Sequence, residues 1–310
     1  MKILLFIIVS IAVFLLSGAY FVFRKAFHRE VERHWEEPDS LTGTMWAALA
    51  DKIHAALEYL KDHNARDVYI NSEDGLKLRG RWLPADRAVG SILLFHGYRS
   101  CSVADFSVII PFYHGLGFNL LLVDQRSHGK SEGKYITFGI KEHGDALRWI
   151  DWHNENVGDV PVYLGGMSMG ATTVLMAAGR DLPDNIKGVS ADCGFTDPYE
   201  IVGRVMRSEN IPPFPLLDIA GIYTKIFAGF RLREYSTISA MKNCRVPVLM
   251  IHGLDDDFVP CEMSQRAYDA CVSEKELLLV EGASHGTSFL TDPDRCQRAL
   301  KNFLMNHLEN

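Results

Sequence analysis

The pentapeptide Gly166-Met167-Ser168-Met169-Gly170 sets a hydroxyl between two glycines, after the apolar run at 162–164 and before the helix-forming run at 171–179. A sharp strand-to-helix turn forces the residue at its apex into strained backbone angles. It also leaves no room for side chains on either flank, which explains the need for Gly166 and Gly170. Such a turn makes Ser168 a candidate nucleophile. A serine hydroxyl is weak at neutral pH, however, and needs a base within hydrogen-bond reach and a carboxylate to orient that base.

Both are available farther along the chain. His285 lies in the glycine-flanked stretch "GASHG", after an apolar run and before the final helical pattern. Three adjacent carboxylates, Asp255, Asp256 and Asp257, follow another apolar run in "HGLDDDFVP". Asp256 is the preferred acid, because the chain must turn before it can project a carboxylate and Phe258-Val259-Pro260 locks the backbone beyond it. Asp255 and Asp257 read as helix caps or solvated charges. The chain order is then serine, acid, histidine. The N–H of Met169, directly after the nucleophile, is one candidate oxyanion donor, and a second is expected from the loop His96-Gly97-Tyr98 after "SILLF".

These groups need a frame that brings distant loops together. After a hairpin pattern ("DVYINS", Asp74-Gly75, "LKLRGRWLPA"), six short apolar runs alternate with amphipathic stretches: "SILLFHG", "FNLLLVD", "PVYLGG", "IKGVSAD", "VPVLMIHG" and "ELLLVEG". Apolar strands separated by helices predict a mostly parallel, doubly wound sheet covered on both faces, with an antiparallel hairpin at its edge. Ligands gather at the carboxyl ends of such strands, where all the candidate groups fall. About fifty residues between Asp192 and Val246 break the rhythm and predict a small helical lid over about 195–242. Its apolar residues, among them Phe214, Leu216, Leu217, Ile219, Ile222, Tyr223, Ile226 and Phe227, suit acyl chains or the lid's own core.

Residues 3–23 form a stretch of 21 residues without a formal charge, long enough at about 1.5 Å per residue to cross a bilayer core of roughly 30 Å. An uncleaved single-pass anchor over 1–25 is expected. Ser17 and Ala19 offer a small-residue cleavage site, but apolar residues continue beyond it. Lys2 on one flank against Arg24, Lys25 and Arg29 on the other leans slightly toward a cytoplasmic catalytic domain. Residues 26–66 read as a juxtamembrane linker and an amphipathic helix from about Met45 to His63, with Trp46, Leu49, Ile53, Leu57 and Leu60 on one face. The hydrolytic domain would occupy 67–310.

The motifs "LLFHGYRS", "LLVDQRSHGKSEG", "GGMSMG", "IHGLDDDFVP" and "GASHG", in this order, make the chain resemble α/β-hydrolases over about residues 67–308. Within that superfamily it is similar to membrane-anchored, serine-aminopeptidase-like or monoacylglycerol-lipase-like bacterial members. The resemblance implies an α/β-hydrolase fold and places the acid two residues before x-Val-Pro, at Asp256. It maps the second oxyanion donor onto Tyr98, with His96 and Gly97 shaping the loop, and it has Arg126 and His128 brace the floor of the site.

The expected function is hydrolysis of a carboxylic ester or amide through an acyl-enzyme on Ser168, with a small, lipid-like molecule as substrate. A serine aminopeptidase or another acyl-transfer enzyme is the alternative within that class. An inactive membrane-tethered binding module is the alternative outside it. No cofactor or metal is implied. Gly129-Lys130-Ser131 lacks the first glycine of a phosphate-binding loop, since position 124 is Asp124, and no HExxH spacing occurs. With a formal charge of -7 and no long basic run, nucleic acid is not an expected partner. Six scattered cysteines without a CxxC pair read as free thiols.

Overall fold

A computed structural model describes residues 1–30 and 47–308. The expectations placed on 31–46, most of the linker and the Met45–Trp46 start of the amphipathic helix, lie outside the described residues. Helix α1 (Lys2–Phe27) takes up the charge-free stretch and runs one turn past it. Farther along, a 3-10 turn over Ala47–Leu49 leads into α2 (Ala50–Asp62), which buries Ile53 and Leu60 of the predicted face together with Ala56, while Leu49 and Leu57 are half-buried. The hairpin pattern becomes β1 (Arg66–Asn71) and β2 (Lys77–Leu83), paired antiparallel.

From there strands and helices alternate: β3 (Gly90–Phe95), α3 (Ser102–Phe106), α4 (Ile110–Gly115), β4 (Phe118–Val123), α5 (Glu142–Asn156), β5 (Val162–Met167), α6 (Met169–Ala178) and β6 (Ile186–Asp192). The remainder comprises α7 (Pro198–Ser208), α8 (Leu216–Tyr223), α9 (Thr237–Met241), β7 (Val248–Gly253), α10 (Cys261–Ala270), β8 (Lys275–Val280), α11 (Ser288–Thr291) and α12 (Pro293–Asn306).

The eight strands form one sheet in the order β1-β2-β4-β3-β5-β6-β7-β8. β2 joins β4 antiparallel, and β3 to β8, the six apolar runs, are parallel. β3, β4 and β7 are buried at every position, because helices cover both faces and neither face has to be polar. Residues of α2, α3, α4 and α12 build a core on one face. Those of α5, α6, α9 and α10 build the other. The fold is that of an α/β-hydrolase with an edge hairpin.

The interval after β6 is a lid-like helical insertion of α7, α8, a π-helical turn over Thr224–Ala228, and α9. Asp197 starts α7 by accepting the Glu200 N–H, with Pro198 in the first turn. The insertion packs on α1: Val22, Phe23 and Phe27 are buried together with Leu217, Ala220 and Phe230. The Tyr223 hydroxyl donates to the Leu16 carbonyl at 3.3 Å. Full burial of Phe23 and Phe27 is worth about 2–3 kcal/mol each. The amino-terminal half of α1 is exposed.

Candidate active site

Ser168 ends the turn between β5 and α6 with φ 54 and ψ -114, a strained conformation for a residue with a side chain. A β-carbon at Gly170 would collide with the Phe95 carbonyl, and one at Gly166 would collide with the Gly170 carbonyl. The glycines are therefore steric requirements of the turn. Ser168 N–H donates to the Asp192 carbonyl at 2.8 Å, tying the apex to the end of β6. α6 begins at Met169, so its first N–H groups have no intrahelical acceptor and point toward the serine.

His285 Nε2 lies 2.9 Å from Ser168 Oγ, and its Nδ1 lies 2.7 Å from Asp256 Oδ2. Asp256 is buried, and its other oxygen accepts the N–H groups of Phe258 at 3.0 Å and Val259 at 2.8 Å. Burial opposes its charge, but hydrogen bonds from His252 and His285 outweigh burial and hold the carboxyl well below the usual range. An ionised Asp256 fixes the His285 proton on Nδ1 and leaves Nε2 free to accept from the serine. Asp255 and Asp257 are exposed and do not cap α10, whose N-cap is Pro260.

The loop after β3 passes against the nucleophile: a β-carbon on Gly97 would lie 3.3 Å from Ser168 Cβ. Gly97 N–H is taken by Asp105 at 2.6 Å. Tyr98 N–H carries no hydrogen bond within the protein among the described residues. His96 holds the loop from beneath. Its Nε2 accepts the Gln125 N–H at 3.1 Å, which leaves the proton on Nδ1 to donate to the Gly97 carbonyl at 2.7 Å. His128 accepts the Arg99 N–H at 2.9 Å, and burial keeps it neutral by pushing its pKa well below the usual value. Arg126 reaches away from the triad to Asp145 at 2.6 Å and to Asp74 of the hairpin turn at 3.0 Å.

A cavity of about 490 Å³ opens at Ser168 and His285 and runs back along the sheet. Leu94, Gly165, Ala191 and Ile251 line it from the strands, and Ala104 and Leu300 line it from the helices. The lid residues expected to serve acyl chains do not line it. Leu217 is buried against α1, while Phe214, Ile222, Ile226 and Phe227 face outward.

Three groups of the site had no role assigned from the sequence. His252 lies 3.2 Å from Asp256 Oδ2 while bonded to the Val259 carbonyl at 2.8 Å. Asp105 braces Gly97. Asp192 lines the cavity beside the nucleophile and accepts from Ser288 Oγ at 3.1 Å, and burial pushes its carboxyl up to about 6. Its position at the end of the run "IKGVSAD" was the available signal.

Ligand atoms of Cys193, Asp256 and His285 fall within 4.8 Å of one another. Two of the three are committed to each other in the triad, and burial holds the Cys193 thiol protonated. The cluster therefore has the chemistry of a triad packed on a thiol rather than of a metal site.

A charge-fixed histidine between a strained serine and a buried carboxylate, above an apolar cavity, is the geometry of a serine hydrolase that works through an acyl-enzyme. Known proteins point the same way: the alpha/beta hydrolase fold family matches residues 90–208, and a serine hydrolase (FSH1) family matches residues 223–285. The chain is a member of the α/β-hydrolase superfamily.

Among its relatives, the Bacillus subtilis protein YqkD is 29% identical over 258 residues, 83% of this chain and 84% of that protein. The lysophosphatidylserine lipase ABHD12 of Danio rerio is 27% identical over 198 residues, 60% of this chain and 48% of that protein. The Pyrococcus furiosus esterase Pf2001 superposes with a TM-score of 0.65 at 26% identity, covering 80% of this chain and 94% of that one.

Proposed function

We propose that the chain is a membrane-anchored serine hydrolase that cleaves carboxylic esters of apolar acyl groups. Ser168 Oγ attacks the ester carbonyl while His285 Nε2 takes its proton, and the carbonyl electron pair moves onto the oxygen. The Met169 and Tyr98 N–H groups stabilise that oxyanion. Collapse of the tetrahedral intermediate breaks the carbon–oxygen bond, and His285 returns the proton to the leaving alkoxide. Water then repeats the sequence on the acyl-enzyme and regenerates Ser168. Asp256 stabilises the imidazolium formed in each half.

The observation that carries this reading is the hydrogen-bonded chain from Ser168 to His285 to Asp256 at the mouth of a largely apolar cavity. Relatives named as an esterase and a lipase support an ester as substrate. The length and mean hydropathy of α1 support anchoring. Ser168→Ala should abolish turnover of p-nitrophenyl esters and labelling by a fluorophosphonate, with the fold intact. Retained turnover removes the assignment.

A further inference from the structure

The carboxyl end of α1 continues into the loops around the active site. Ile136 N–H donates to the Phe27 carbonyl and Arg29 N–H donates to the Lys134 carbonyl, both at 2.8 Å. The Arg29 guanidinium donates to the carbonyls of Gly129 and Ser131 at 2.6 Å each. The same segment grips the loop that carries Tyr98. Tyr98 Oη donates to the Ala26 carbonyl at 2.8 Å, and Arg99 Nη2 donates to the Lys25 carbonyl at 2.6 Å. Arg99 Nη1 pairs with Glu30 at 2.6 Å. The Tyr98 ring stacks on Phe138 at 5.1 Å, and Phe138 meets Phe27 edge-on at 5.4 Å.

Arg99 has φ 55, a left-handed conformation disfavoured for a residue with a long side chain. Contacts rather than intrinsic preference must therefore hold it: His128 takes its N–H, and its guanidinium is held by Lys25, His28 and Glu30 at and just beyond the end of α1. A hydrogen-bond donor lowers the barrier only if it is already in place when charge develops.

We infer that Lys25–Glu30 is a positioning element of the oxyanion hole, clamping Tyr98 and Arg99 so that the Tyr98 N–H faces the nucleophile. The inference rests on the proposed role of Tyr98. It makes the anchor part of the catalytic apparatus, so the membrane segment does more than fix location.

The full-length protein in detergent micelles tests this with Arg99→Asn, which removes the guanidinium yet tolerates the left-handed backbone, and with Glu30→Gln at the surface. Losing one oxyanion donor outright costs about 10²–10³ in rate, so a donor merely loosened in Arg99→Asn should cost about tenfold in kcat at nearly unchanged KM. A trifluoromethyl ketone places an oxyanion in the hole, and its Ki should rise by the factor that kcat/KM falls. Glu30→Gln should show a smaller loss, at least about twofold, in the same two quantities, and Arg99→Lys should recover part of the activity.

Unchanged kcat in both Arg99→Asn and Glu30→Gln, or a loss confined to KM with the ketone binding as before, overturns the inference. Should Arg99→Asn fail to fold, Glu30→Gln decides alone. Ser168→Ala separates the two levels. Turnover surviving in Ser168→Ala defeats the serine-hydrolase reading itself, whereas turnover lost there but kept in the clamp variants defeats the positioning role alone.

Discussion

Replacing Asp256 by asparagine separates the charge of the acid from its shape. Oδ1 accepts the N–H groups of Phe258 and Val259 at 3.0 and 2.8 Å, so an asparagine must turn its oxygen that way and present Nδ2 to His285. Two donors would then meet across 2.7 Å. His285 escapes by moving its proton to Nε2, the atom that has to accept from Ser168. The charge is lost as well: at an effective dielectric of about 20, an ion pair at the 2.7 Å separation is worth about 6 kcal/mol. That corresponds to about four to five decades of rate, and the equivalent change in a well-studied Ser-His-Asp enzyme costs about 10⁴.

Asp256→Asn should therefore lower kcat for a p-nitrophenyl ester about 10⁴-fold, with KM little changed and the melting temperature lowered, since both backbone bonds survive but the stabilisation from His252 and His285 that depresses the carboxyl pKa is lost. Stopped-flow and steady-state release of p-nitrophenol measure the loss. Asp255→Asn and Asp257→Asn, both on exposed carboxylates, should leave kcat within about twofold. A kcat for Asp256→Asn within about tenfold of the parent, or a collapse in either neighbour, refutes the reasoning.

Three further perturbations probe the surroundings. Asp192 has a folded pKa of about 6, above its unfolded value, so the folded state binds the extra proton between roughly pH 4 and 6. Stability is lost as pH rises through that window, and the loss is complete above it. Asp192→Asn should raise the melting temperature at pH 8 and have little effect at pH 4, as measured by calorimetry. Ala104→Leu fills the cavity from its helical wall and should lower kcat/KM for long-chain p-nitrophenyl esters while sparing the acetate; equal effects on both would argue against an acyl site there. Gly170→Ala drives a β-carbon into the Phe95 carbonyl and should cost about 3 kcal/mol or more in denaturant unfolding.

The triad was legible because each member sits where a local pattern changes, an apolar run giving way to glycine, aspartate or histidine at a strand end. The strands β3 to β7 were legible for the same reason, since burial on both faces leaves them largely apolar, while the half-buried edge strand β8 was legible from its leucine run. The cavity was not. It is assembled from Leu94, Gly165 and Ile251 on one sheet face and from helices nearly two hundred residues apart, and no periodicity records which side chains meet across such a distance. The lid's apolar residues were visible, but their use against α1 was not. A helix apolar all round does not show which side will meet Leu217 and Phe230. Asp105 acts on Gly97 across a turn and a short helix, a contact with no sequence signature.

The docking of α1 also sets a draught. Between Lys2 and the Leu16 carbonyl held by Tyr223, 15 residues stand clear of the lid, a rod of about 22 Å. A bilayer's hydrocarbon is about 30 Å deep. Under the anchoring proposed above, the rod is too short by about one and a half turns, so the waterline must climb past Leu16 and wet the outward Phe214, Ile222, Ile226 and Phe227 with lipid rather than water. The protein would ride low, its lid partly submerged, at a depth set by the length of a helix.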